Sequence, residues 1–244
     1  MKKKYILTAL LLVSSFAFSN SISVGGVVGK QSGLYRGSED TLILPYVKVN
    51  YANFYIDGTQ IGYKFLNTDV LDLSVYSNLQ DGHSIKASNM DYGYRSINER
   101  KKQITGGLKL EAPLNIVGET INLRTSIEAG RRGAHGKLEL SKLIKATDNF
   151  IIIPNINSRY FEKDYTRYYF GISDNELAEA IKEKYRPDNA YTLGAGIYSE
   201  YFFNRAFSMF AYASLDKYSK EVRRSPIIKN DIVTNVGVGL KFSF

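Results

Sequence analysis

Two histidines and an alternating set of charged side chains are the residues of this chain that could do chemistry. His83 and His135 are the only histidines, and there is no cysteine. A structural or catalytic metal centre draws three or four ligands from His, Cys and carboxylates at suitable spacing, and neither histidine has a second His or any Cys to join it. A hydrolase would need a serine or aspartate beside a histidine held by a third group, an arrangement that sequence alone does not display. Both histidines adjoin a glycine and read as solvated loop residues. Gly25-Gly26 and Gly106-Gly107 lie inside strand-like stretches, where close packing or a bend explains them better than phosphate cradling. No catalytic, cofactor-binding or metal residue is assigned, and no cofactor is expected.

The charges are more regular. Lys48, Lys64, Lys109, Arg124, Lys137, Arg159 and Lys241 each sit between apolar or small neighbours, as do Asp72, Glu111, Glu128, Glu139 and Glu200. A strand places successive side chains on opposite faces, so these groups share one face of their segments. From Thr120 to Gly130, Ile121, Leu123, Thr125, Ile127 and Ala129 oppose Asn122, Arg124, Ser126, Glu128 and Gly130. The final stretch repeats the pattern, with Val236, Val238, Leu240, Phe242 and Phe244 against Gly237, Gly239, Lys241 and Ser243.

Such segments fit a soluble periplasmic β-sandwich or a transmembrane barrel, and the amino terminus favours export. Met1-Lys2-Lys3-Lys4 followed by an apolar run from Tyr5 to Phe18 and the small residues Ala17 and Ser19 is a secretory signal peptide. The expected cut follows Ser19, with Ala17 as the alternative, giving a leader over 1–19 and a single domain over 20–244. Loss of the three leader lysines lowers the formal charge from +8 to +5. The positive charge is scattered, which argues against nucleic acid; outer-membrane lipid and lipopolysaccharide are the expected surroundings.

Barrel strands need only about 9 to 11 residues and show lipid every second side chain, so modest hydropathy does not exclude them. The alternating segments 22–30, 42–51, 53–66, 69–78, 104–112, 119–131, 136–144, 149–161, 190–203, 206–217 and 231–244 number eleven. Bacterial barrels have an even count. A turn at Asp57-Gly58 splits 53–66 and gives twelve, with ten as the alternative. The long connections 31–41, 79–103, 162–189 and 218–230 then all emerge on the outer side. Ser173 and Glu176 form a capping box before Leu177, Ile181 and Tyr185, which predicts a short helix ending before Pro187. Tyr46, Tyr51, Tyr76, Tyr160, Tyr191, Tyr201 and Tyr218 lie near strand ends and read as interfacial girdles. The mixed lining charges would close a narrow bore by pairing across it.

Gly33-Leu34-Tyr35-Arg36-Gly37-Ser38-Glu39-Asp40 with Pro45, then Ile61-Gly62-Tyr63, then Tyr168-Tyr169-Phe170-Gly171-Ile172-Ser173, then Ser225-Pro226-Ile227 ahead of the alternating tail, resemble the successive blocks of the MipA/OmpV family. The likeness spans essentially the whole mature chain, although 79–103 departs from the family's glycine- and leucine-bearing pattern. The resemblance implies an outer-membrane barrel. It also implies a scaffold that brings a lytic transglycosylase together with a murein synthase, and it carries no catalytic residues. A narrow porin-like channel is the second reading, and an outer-membrane hydrolase the third.

Overall fold

The computed structural model describes residues 21–37 and 40–244; the leader over 1–19, with its cleavage site, lies outside them. Thirteen segments follow in order: β1 (Ser21–Gln31), β2 (Asp40–Tyr51), β3 (Phe54–Asp57), β4 (Gln60–Asn67), β5 (Asp72–Asp81), β6 (Gln103–Ile116), β7 (Glu119–Gly130), β8 (Gly133–Ser141), β9 (Ile144–Thr147), β10 (Phe150–Phe161), β11 (Ala190–Phe202), β12 (Phe207–Tyr218) and β13 (Ile232–Ser243). Apart from β8 and β9, each pairs with the next in one antiparallel sheet, and β13 returns to pair with β1 from Ser23↔Ser243 to Gln31↔Asn235. β8 and β9 both pair with β10 and occupy one wall position. The result is a closed barrel of twelve strands.

Proline explains the break between β8 and β9. The Lys142 N–H donates to the Pro154 carbonyl at 3.1 Å, but Pro154 has no N–H to return the bond, so the ladder lapses at Lys142-Leu143. The turn expected at Asp57-Gly58 is present. Asp57 pairs with Gln60, and Gly58 takes φ +57°, a conformation open to glycine at little cost.

The apolar face points outward. Ile127, Ile156, Leu193, Ile197, Val238 and Leu240 are all exposed, whereas Arg124, Glu139, Lys241 and Glu200 face the interior and bond to one another. A soluble sandwich would bury the first set, so this inside-out arrangement rules that alternative out. With an even strand count both termini lie on the periplasmic side. Val117-Gly118 and the other turns that lead into β3, β5, β10 and β12 therefore face the periplasm, while the long connections and the short turn at Arg131-Arg132 face outward.

Two expectations need correction. Tyr46, Tyr76 and Tyr218 do not belong to a girdle. They point inward, where Tyr46 packs on Phe210 at 5.3 Å, the Tyr76 hydroxyl donates to Glu128 at 2.7 Å, and Tyr218 joins a buried cluster. The periplasmic girdle is instead built by Tyr51, Phe54, Tyr201, Phe203, Phe207 and Phe242, with the last two rings 4.7 Å apart. The helix of the 162–189 connection is also displaced. It covers Lys163–Phe170 (α1), while the Ser173/Glu176 capping box closes only a single turn over Asp174–Glu176. The Tyr185 and Ile172 backbones bond to each other, as do those of Ile181 and Ala178, so the chain after the box folds back on itself rather than continuing as a helix.

Glycine pairs divide by face. A Cβ on Gly26 or Gly106 would meet nothing within 4 Å, whereas one on Gly25 would lie 1.9 Å from the Leu240 carbonyl oxygen and one on Gly107 2.6 Å from that of Ile127. Gly25 thus permits close approach at the β1–β13 seam. Gly25→Val should destabilise closure by about 1–3 kcal/mol while Gly26→Val should be nearly silent, read as loss of the heat-modifiable folded band on a gel.

Candidate functional site: a capped, charge-lined lumen

The largest apolar core lies in the outer loops rather than in the barrel. Leu34 and Tyr35 from the first connection, Ile85, Met90 and Ile97 from the second, Tyr165, Tyr169, Phe170, Ile172 and Ile181 from the third, and Val222, Ile227 and Ile228 from the fourth form one cluster with the strand tops. Tyr169, Phe170, Ile181, Val222 and Ile227 are completely buried. α1 supplies the centre. The Glu162 carboxylate accepts from the Asp164 N–H at 2.9 Å and caps the helix, and Tyr165 stacks on Phe161 with centroids 5.1 Å apart. The connections are tied together by Glu176. Its carboxylate accepts from the Asn98 N–H at 2.7 Å and the Ser173 N–H at 2.9 Å, and pairs with the Arg100 guanidinium at 2.7 Å.

His83 lies within this cap, its ring 5.6 to 6.4 Å from those of Tyr35, Tyr169, Phe170 and Tyr218. It is not a freely solvated loop residue. Burial, helped by the Arg159 guanidinium, pushes its imidazole down to about 4. An unfolded histidine protonates near 6.5, so the cap holds its full stability above that pH and weakens as pH falls towards 4. The effect should be about 2 kcal/mol, allowing for the part of the ring that solvent reaches. Proteolysis of the outer loops at pH 7.5 and pH 5 checks it, and His83→Phe should flatten the difference.

Below the cap the lumen is polar. Lys64 bonds Asp72 at 2.7 Å, Arg124 bridges Glu111 at 2.6 Å and Glu139 at 3.3 Å, Lys137 meets Glu139 at 2.5 Å, and Lys241 meets Glu200 at 2.6 Å. Lys109 lies 3.7 Å from Glu111, and Lys48 lies 4.0 Å from Asp57. The expected pairing across the bore is not what forms: Lys48–Asp57, Arg124–Glu111 and Arg124–Glu139 join opposed residues of adjacent strands and Lys109–Glu111 and Lys137–Glu139 lie along one strand, so the charges pair along the wall. Asp57 and Asp216 also face the lumen and were missed, although they continue the alternation of their own segments, whereas Asp81 faces it because an extra residue between Asn78 and Asp81 shifts the register of β5. Of the seven cations, Arg159 alone has no carboxylate within 4.0 Å among the described residues. At the periplasmic end the lumen widens into a vestibule of about 660 Å³ lined by Thr68, Asp69, Pro113, Leu143 and Ile153 beside the Arg124 network.

His135 is likewise not a solvated loop residue but part of β8, with only 8% of its surface exposed. Its Nε2 lies 2.9 Å from Asp81 and 3.8 Å from Glu128. These three groups could be read as a metal-binding set, yet the carboxylates are already engaged. Gln103 donates to Asp81 at 3.0 Å, and Tyr76 and Thr105 donate to Glu128 at 2.7 and 2.6 Å. The other ring nitrogen, Nδ1, has no partner, whereas a metal-ligating imidazole is normally anchored through it. The network fits a hydrogen-bonded clasp joining β5, β6, β7 and β8 beneath the cap.

An inside-out twelve-strand barrel with these loops matches a known family model, described as MltA-interacting protein MipA, over residues 24–244. The chain belongs to the MipA family. Among its MipA-family and outer-membrane relatives, a 24 kDa outer membrane protein of Pasteurella multocida is 31% identical, with 94% of each chain covered. The MltA-interacting protein of Escherichia coli K12 is 22% identical over 100% of this chain and 99% of its own. Among solved structures, an outer-membrane channel from Pseudomonas putida F1 is similar at 9% identity and a TM-score of 0.46, covering 93% of this chain and 97% of its own. This MipA-family barrel is an outer-membrane protein.

Proposed function

We propose that the barrel is a non-conducting, non-enzymatic scaffold that holds a murein-remodelling enzyme, of lytic transglycosylase type, at its periplasmic face. The observation that carries this reading is the polarity of the lumen. Its outer end is filled by the loop core, and its vestibule opens towards the periplasm, where murein lies. The name of the Escherichia coli relative supplies the class of partner. The lining charges, paired along the wall, support a structural rather than catalytic lumen.

The test has two arms. Affinity-tagged chain taken from cross-linked envelopes should recover a lytic transglycosylase, and charge reversal on the periplasmic turns should reduce that recovery. Planar bilayers containing the purified barrel should show no steady conductance steps at neutral pH. Reproducible open-pore steps would replace the scaffold with a channel, and repeated recovery of no murein enzyme would remove the proposed partner.

A further inference from the structure

The barrel wall is incomplete on one side. β3 rises from the periplasmic turn for only four residues before the chain reverses at Gly58-Thr59. Four residues at about 3.3 Å each, tilted as barrel strands are, climb roughly 10 Å of an apolar band about 25 Å tall. The neighbouring strands continue upward without them. β2 pairs with β1 as far as Asp40 but with β3 only over Lys48–Tyr51, while β5 is covered up to Leu79, whose N–H donates to the Thr59 carbonyl at 2.9 Å. Since β5 ends at Asp81, it is covered almost to its end, and the notch left in the wall is the unpaired edge of β2 above Lys48, over the tip of the hairpin.

The sequence is adapted to this edge. The Val47 carbonyl accepts from the Gly58 N–H at 2.9 Å, so the odd-numbered positions of β2 aim their backbone groups towards the β3 side. The next such position is Pro45, which has no N–H to leave unpaired, as expected of an edge strand. An open edge is not stable against dry hydrocarbon and is tolerated where it lines a watered or ligand-filled opening. Beside the notch the lumen face turns apolar. Leu42 and Leu44 point inward, in register with Tyr46 and Lys48, and Leu44 is 48% exposed.

The second observation lies across the bore. Arg159 and Lys137 are direct cross-strand partners on the lumen face, a like-charge pairing that destabilises a sheet. Lys137 is answered by Glu139, but the exposed Arg159 guanidinium has no carboxylate within 4.0 Å among the described residues. A single cavity of about 160 Å³ is lined by Arg159, Lys137, Lys109 and Arg124 and by Asp57 and Gln60 at the tip of the short hairpin; its other carboxylates, Asp81 and Glu128, are already engaged by Gln103, Tyr76 and Thr105. The cations and the hairpin tip that forms the lower border of the notch thus line one cavity.

We propose that this space binds a single-chain acidic amphiphile of the membrane. Its carboxylate or phosphate head would sit on Arg159 and Lys137, and its acyl chain would leave the barrel past Leu44 through the notch into the outer leaflet. This goes beyond the scaffold reading and does not depend on which enzyme docks below.

The chain has no tryptophan, so Leu44→Trp places a sole reporter at the notch, and Leu193→Trp places one on the lipid face as a control. In liposomes, dibrominated stearate should quench the Leu44→Trp signal saturably, and unbrominated hexadecyl phosphate should compete. The half-point should rise at least tenfold when Arg159→Gln is added and stay within threefold with Arg159→Lys. A brominated alcohol of equal length should bind at least tenfold more weakly. The Leu193→Trp control should show only unsaturating quenching. Heat-modifiable migration verifies that each variant is folded. Equal quenching with and without Arg159, or unsaturating quenching at Leu44→Trp, overturns the proposal. Butyrate competing as well as stearate overturns it too, because the head would then bind with no use for the notch.

Discussion

Glu176→Ala should unfasten the outer cap while leaving the barrel closed. The Glu176 side chain is 2% exposed and that of its partner Arg100 6%. Arg100 also donates to the Asn98 and Gly171 carbonyls at 2.7 and 2.9 Å. Removing the carboxylate leaves a buried guanidinium without a counter-charge and frees the N–H groups of Asn98 and Ser173. Breaking a buried pair in this one-sided way costs about 3–5 kcal/mol, enough to open a loop assembly that unfolds independently of the wall. The measurement is trypsin cleavage at Arg95, Lys101 and Arg167 in intact cells, expected to rise by one to two orders of magnitude for the variant. Heat-modifiable migration should be unchanged. Glu176→Gln, which keeps an acceptor, should fall in between. Equal protection of wild type and Glu176→Ala would show that Glu176 does not fasten the cap. Hydrogen bonds from Ser173 and Asn98, with the Arg100 charge, outweigh burial and hold the Glu176 carboxyl below its ordinary range. Its contribution is therefore full above about pH 4.5 and is lost as pH falls below that, in the same direction as His83.

The second large effect concerns the wall. Ile197 is the eighth of the thirteen residues of β11, faces outward and is 46% exposed, which places it near the middle of the lipid band. Ile197→Arg should destabilise the folded barrel by about 2–4 kcal/mol, the midplane value for a cation on the lipid face. Leu123→Arg should cost less, because Leu123 is the fifth residue of β7 and lies nearer the periplasmic interface. Urea titration of the refolded barrel in vesicles reads the difference. An Ile197→Arg variant as stable as wild type would contradict the placement of this face in lipid.

The strands were legible because alternation is a local property. Each segment carries its own record of which residues share a face, and the turn at Asp57-Gly58 was marked by the dipeptide itself. Parity then corrected the count from eleven to twelve. The lining charges were legible for the same reason, and all seven cations named from alternation do face the lumen. The helix was not, because KDYTRYYF is rich in aromatic residues with middling helix propensity; tertiary burial of Tyr165, Tyr169 and Phe170 holds it. The better local signal, the Ser173/Glu176 box, was diverted when Arg100 and Asn98 claimed Glu176 across 76 to 78 residues of chain. The histidines were misjudged because a neighbouring glycine indicates a turn but not whether other loops close over it.

Sequence by itself determined the barrel: strand number, the inward charges and the outward apolar band all follow from period-two patterning. Tertiary structure alone decided which end is sealed, that His83 and His135 are enclosed, and that the wall is notched beside β2. Those features arise where side chains from distant connections meet or where one hairpin stops short of its neighbours. Long-range contacts of that kind depend on how the closed sheet brings remote segments together, and no local periodicity encodes them.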